Sequence, residues 1–204
     1  GSEMCIRDSF NVQQVPFYQM CHDAVRSGNF GWSWTTDLGA NFVGSYSFYL
    51  LGSPFFWLTI PFPSEAMPYL MGPLLILKFA CAATTGAHCL RRYVTRGDAA
   101  VLGGLLYAFS GFSVYNIFFN HFHEAIVFFP LMLWALDEYM ATRRRGVFAV
   151  TVFLCCFVNY YFFVGQVTFT LIYFFLRLLT RSFRINLRDF LLLFCEAVVG
   201  VLMS

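Results

Sequence analysis

The run Val147-Phe-Ala-Val-Thr-Val-Phe-Leu-Cys-Cys-Phe-Val-Asn159-Tyr-Tyr-Phe-Phe-Val-Gly165-Gln-Val-Thr-Phe-Thr-Leu-Ile-Tyr-Phe-Phe-Leu-Arg177-Leu-Leu179 carries one charge in thirty-three residues. As a single helix it would be about 50 Å long, against an apolar bilayer core of about 30 Å. Two shorter helices joined between Asn159-Tyr160-Tyr161 and Gly165 fit that thickness. Charge makes the choice. Arg143, Arg144 and Arg145 precede the run, and Arg177, Arg181, Arg184 and Arg188 close or follow it. One span would put a basic cluster outside, whereas a hairpin keeps both clusters on the cytoplasmic side, as the cation bias of membrane proteins requires.

Working outward, apolar segments predict spans at about 68–90, 99–119, 124–139, 147–161 and 164–179, with a last one over 189–204. The short link Asn120-His121-Phe122-His123 makes its two helices antiparallel neighbours. This topology places ten of the thirteen cations, Arg91, Arg92 and Arg96 among them, on one side. The composition agrees: 59% of residues are apolar and 12% charged, against roughly 25% charged in soluble domains. A net charge of +2 gives no basic face for nucleic acid. Cys81, Cys89, Cys155, Cys156 and Cys195 lie in or beside apolar runs and read as small core residues. The expected fold is all-α, a polytopic transmembrane helix bundle with an outward-facing N-terminal loop over residues 10–67.

Within that loop, Val15, Phe17, Tyr18, Cys21, Ala24 and Val25 recur at helical spacing opposite Gln14, Asp23 and Arg26, predicting an amphipathic helix ended by Ser27-Gly28-Asn29. Tyr49 to Phe62 is apolar but reaches only about 21 Å and contains Pro54 and Pro61, so it reads as re-entrant or interfacial. Between them, Gly31 to Pro54 mixes Gly, Trp, Tyr, Asp37 and Asn41, side chains that grip a polar ligand or form an interfacial aromatic belt. Gly1 to Ser9 reads as adapter read-through. The chain begins in polar loop sequence and stops at Ser204 inside an apolar run, the pattern expected of a piece of a longer protein.

The candidate chemistry is sparse. His121, His123 and Glu124 sit together at the outer turn; their types suit a phosphate, a proton or a divalent cation, and equally a solvated interhelical link with Glu124 favoured by the helix dipole. Lys78 lies too deep to snorkel and should face the protein interior, either paired with an acid such as Glu196 or holding a lipid phosphate. Asn159 and Tyr160 interrupt an apolar run where a turn needs its backbone satisfied.

The motifs Gln13-Gln14-Val15-Pro16-Phe17-Tyr18, Gly39-Ala40-Asn41-Phe42, Tyr46-Ser47-Phe48-Tyr49 and Gly52-Ser53-Pro54-Phe55 stand in order, followed by Leu106 to Phe112, Pro130-Leu131 and Val158 to Phe162. This ordered set resembles the bacterial YfhO family, itself similar to the GT-C superfamily of multi-span glycosyltransferases. The resemblance implies a GT-C-like enzyme of the bacterial cell membrane. It would move a sugar from a polyprenyl-phosphate carrier to a cell-envelope polymer of the teichoic-acid type, at the outer face. Its partners would be membrane lipid, that lipid-linked sugar and the polymer, with no nucleic acid. It places a catalytic aspartate at Asp8. With it, Gln13, Gln14, Asp37, Asn41, Lys78, His121, His123, Glu124, Asn159 and Tyr160 are the expected substrate-binding residues. The resemblance names no certain cofactor, and a divalent cation is the candidate. As a piece of a longer enzyme the chain is expected to be inactive by itself. A transporter or flippase for lipid-linked precursors is the alternative.

Overall fold

A computed structural model describes residues 14–28, 31–33, 40–41, 50–117 and 119–204. Asp8, Gln13, Asp37 and most of Gly31 to Pro54 lie outside the described residues. The described chain is an all-α polytopic bundle: α1 (Val15–Ser27), α2 (Pro54–Trp57), α3 (Met67–Leu90), α4 (Gly97–Ala108), α5 (Gly111–Tyr115), α6 (Phe122–Thr142), α7 (Val147–Val158), α8 (Tyr160–Leu179) and α9 (Leu187–Leu202). The one ladder described is a pair of two-residue strands, β1 (Trp32–Ser33) and β2 (Ala40–Asn41), antiparallel with Trp32 opposite Asn41. Among the described residues, four helical segments are long and apolar enough to cross a membrane: Ser64–Leu90, Gly97–Tyr115, Phe122–Thr142 and Tyr160–Leu179. The apolar α7 has 12 residues, about 18 Å at the helical rise.

The chain divides into two compact units, Gly1–Cys81 with Phe109–Glu124, and Ala82–Ala108 with Ala125–Ser204. In the first, α1 has a proline at its start and ends on Gly28, whose φ of 70° suits glycine and whose N–H caps the carbonyls of Ala24 and Val25. Its buried side chains are Tyr18, Cys21 and His22, and Gln14 before it is buried too. The apolar spacing placed Gln14 on the wet face; instead the inner face carries two polar side chains. Apolar Phe56 meets the Tyr18 ring edge-on at 5.7 Å, and Gln19 donates to the Ser64 carbonyl at 3.3 Å. Over Tyr49 to Phe62 the described residues form the four-residue α2 and turns, as prolines 54, 61 and 63 dictate. Phe55 and Phe56 point in, while Trp57, Leu58 and Phe62 are exposed.

In the second unit, α3 and α4 touch backbone to backbone: a Cβ on Gly104 would lie 2.3 Å from the Ala83 carbonyl oxygen and 2.7 Å from the Ala87 nitrogen. Small residues permit this in membranes, where packing replaces the hydrophobic effect between helices. Pro130 inside α6 has no N–H, so the Ile126 carbonyl loses its helical donor. The Tyr107 hydroxyl of α4 donates to that oxygen at 2.9 Å. The run Val147 to Leu179 is two helices, broken at Asn159. That residue is extended (φ −156°, ψ 90°), and its side-chain oxygen accepts from the Phe162 N–H at 3.3 Å, capping α8. Met132, Leu136, Tyr139, Phe148, Val152, Phe174 and Leu193 form the core joining α6, α7, α8 and α9. Glu196 of α9 accepts from the N–H groups of Gly146 and Ala149 at 3.0 and 3.4 Å. Glu196 therefore caps α7, and the expected Lys78–Glu196 pair does not form, because the free amides of a helix start take its carboxylate.

Candidate functional site

The first unit holds a buried polar network centred on Lys78, midway along α3. Lys78 is fully buried, which in an apolar surrounding is tolerable only with partners for its charge and its three donors. Its ammonium lies 2.7 Å from Glu124 Oε1 and donates to the Asn120 backbone oxygen at 3.0 Å and side-chain oxygen at 2.8 Å. The Phe55 ring faces it at 5.5 Å. Glu124 Oε1 also accepts from the Ser53 hydroxyl at 2.5 Å, and that hydroxyl oxygen accepts from the Phe56 N–H at 3.1 Å as the cap of α2. The Asn120 amide reaches the Tyr18 hydroxyl at 3.5 Å. Five separate segments thus meet: α1, the turn before α2, α3, the turn before α6, and the first turn of α6.

His121 and His123 are buried beside this network, not solvated as a short link would lead one to expect. The two ring nitrogens of His123 lie 3.2 and 3.0 Å from the carbonyl oxygens of Phe119 and Ser113, and its ring packs at 5.1 Å from Phe79. A neutral ring can donate to only one of those carbonyls. Burial, and then the charges of Lys78 and His123, push the His121 pKa down to about 3, so this ring is neutral at pH 7. Among the described residues no group of three His, Cys, Asp or Glu could hold a metal. The reason lies in the partners: Glu124 is taken by Lys78 and Ser53, and His123 faces carbonyls. The trio His121, His123 and Glu124 does not offer a divalent-cation site.

Of the other expected residues, Gln14 is buried at the start of α1 and Asn41 is exposed in its strand. Asn159 and Tyr160 belong to the second unit, Asn159 buried as a cap and Tyr160 59% exposed. Sequence reading did not find Ser53, Asn120 or Tyr18. Ser53 carried a usable signal, a serine directly before Pro54 at a helix start. It also passed over a second polar cluster, in which Asp137 accepts from the hydroxyls of Tyr93 and Tyr173. Burial and this bond to Asp137 push the Tyr93 pKa up to about 12, so the hydroxyl keeps the proton it donates.

A family model described as bacterial membrane protein YfhO matches residues 2–204. The chain belongs to the YfhO family. No curated protein and no solved structure matches it. As a YfhO-family chain with several membrane-length apolar helices it is a multi-pass bacterial membrane protein. The family match takes in all of the residues of the Lys78 network.

Proposed function

We propose that this protein serves the transfer of a sugar from a polyprenyl-phosphate carrier to a cell-envelope polymer of the teichoic-acid type, at the outer face of the membrane. The observation that carries this reading is where the polar groups gather. Lys78 lies deep in α3, yet its partners Asn120 and Glu124 stand at the very start of α6. The network is a node at a helix end, where a substrate-facing loop is anchored, and not a polar track running along several helices.

In the proposed reaction an acceptor hydroxyl attacks the anomeric carbon of the sugar. The bond from that carbon to the phosphate oxygen breaks, and polyprenyl phosphate departs with the electron pair. An aspartate at or near Asp8 accepts the hydroxyl proton. The phosphate is already a good leaving group, so the protein mainly positions the partners and stabilises charge. We assign Gln13, Gln14, Asp37 and Asn41 to substrate contact. Lys78 is a positioning residue: its charge is matched by Glu124, and it holds the Ser53 turn and the Asn120 turn in register.

The flippase reading draws on the same buried pair, because ion pairs inside spanning segments also mark transport routes. Deleting the gene and analysing the envelope polymer separates the two. Transfer predicts polymer without the sugar and lipid-linked sugar accumulating at the outer face, restored by the wild-type gene and not by one in which the loop aspartate at or near position 8 is replaced by Asn. Accumulation at the inner face indicates a flippase, and unchanged polymer overturns both.

A further inference from the structure

A second polar cavity, of about 550 Å³, lies within the second unit, lined by Arg92, Tyr93, Asp137, Arg177, Ser182 and Phe183 among others. Every contribution comes from the end of a helix or a link between helices. Arg92 and Tyr93 follow α3, Asp137 is near the end of α6, Arg177 is in the last turn of α8, and Ser182 and Phe183 lead to α9.

All but one of its charges have partners. Arg92 donates to Glu138 and lies 5.5 Å over the Trp134 ring. Asp137 has both oxygens occupied, one by Tyr93 and the other by Tyr173 at 2.7 Å. Arg177 differs. Its guanidinium stands over the rings of Phe183, Tyr93 and Tyr173 at 4.8, 5.6 and 5.9 Å, and its Nε is buried with no hydrogen-bond partner. Among the described residues no acid pairs with it.

A guanidinium is a planar fork of donors matched to the oxygens of a phosphate. Three aromatic walls hold this one beside a cavity large enough for a small ligand. Leaving a buried donor unmet is costly, so the arrangement suits an anion that completes it. Depth narrows the anion, because the ends of membrane-length helices lie where lipid phosphates lie, and basic pockets between helix ends take such head groups. Arg181, Arg184 and Arg188 in and after the following loop add to the positive field.

We propose that this cavity binds a phosphate group, with Arg177 as the principal ligand. The phosphate comes from the head group of an anionic phospholipid or from free phosphate. The site is independent of the transferase reading.

Thermal unfolding of the purified chain in a maltoside detergent, with native mass spectrometry, tests it. The additions are phosphatidylglycerol, diacylglycerol of the same acyl chains, and inorganic phosphate against chloride at matched ionic strength. Phosphatidylglycerol should raise the midpoint and stay bound, whereas diacylglycerol, lacking the phosphate, should not. Arg177→Gln should weaken that binding by about tenfold or more, the scale of one charge-assisted contact. Ser182→Glu, at an exposed position that leaves the core alone, should weaken it in the same direction by placing a negative charge at the cavity edge. Protection by inorganic phosphate and not by the lipid assigns free phosphate as the source; protection by the lipid alone assigns the head group. Equal responses to phosphatidylglycerol and diacylglycerol with none to phosphate overturn the proposal. So does unchanged binding in Ser182→Glu and in a folded Arg177→Gln.

Discussion

Removing one partner of the Lys78–Glu124 pair leaves a charge where no water reaches it, since Lys78 is 0% and Glu124 2% exposed. Breaking such a pair costs about 3–5 kcal/mol, while replacing both partners costs much less. Lys78→Met and Glu124→Gln should each lower stability by about that amount, and the double variant should recover much of the loss; additive losses in an unfolding series would show the two are not coupled. His121 carries a pH dependence whose sign follows from its lowered pKa. The folded ring takes a proton only near pH 3, the unfolded one near 6.5, so the unfolded state binds more protons in between. Stability should therefore fall as pH drops from about 6.5 toward about 3, by at most about 1.4 kcal/mol per pH unit. His121→Gln should flatten this fall between pH 7 and 5, measured as the unfolding midpoint. At this scale Lys78 was legible as a buried cation needing an acid. Which acid was not, because Glu124 and Glu196 both lie in apolar helices, and only the approach of the α6 start to the middle of α3 selects Glu124.

The helices are the most legible level of the molecule. The division of the run Val147 to Leu179 into α7 and α8 follows from its length, and Asn159 supplies the cap that a break in an apolar run needs. Repairs made between helices leave no periodic trace. The hydroxyl of Tyr107 serves the Ile126 carbonyl, 19 residues on, that Pro130 leaves without a donor, and neither the tyrosine nor the proline announces the other in the sequence. Tyr107→Phe should cost about 1–3 kcal/mol, the penalty for a buried carbonyl left unmet, although it removes a single oxygen. In a Pro130→Ala background the Ile126 oxygen regains a helical N–H, and the cost of Tyr107→Phe should shrink; an equal cost in both backgrounds would separate the hydroxyl from the proline.

Across the whole molecule, the described N-terminal residues pack through polar as well as apolar contacts. Tyr18 and Ser53 reach Asn120 and Glu124 through hydrogen bonds spanning 102 and 71 residues of sequence. Contacts of that range depend on tertiary arrangement, and for that reason Gln14 reads as a wet-face residue yet is buried. The same hydrogen bonds anchor α1 and the Ser53 turn within the first unit. Proteoliposomes carrying the full-length protein, given a labelled polyprenyl-phosphate sugar and a polymer acceptor, test this account directly. It predicts sugar on the acceptor and free polyprenyl phosphate in equal amounts, with acceptor supplied on the face bearing the N-terminal loop. Movement of the donor across the bilayer with its sugar still attached, and none on the acceptor, would contradict it.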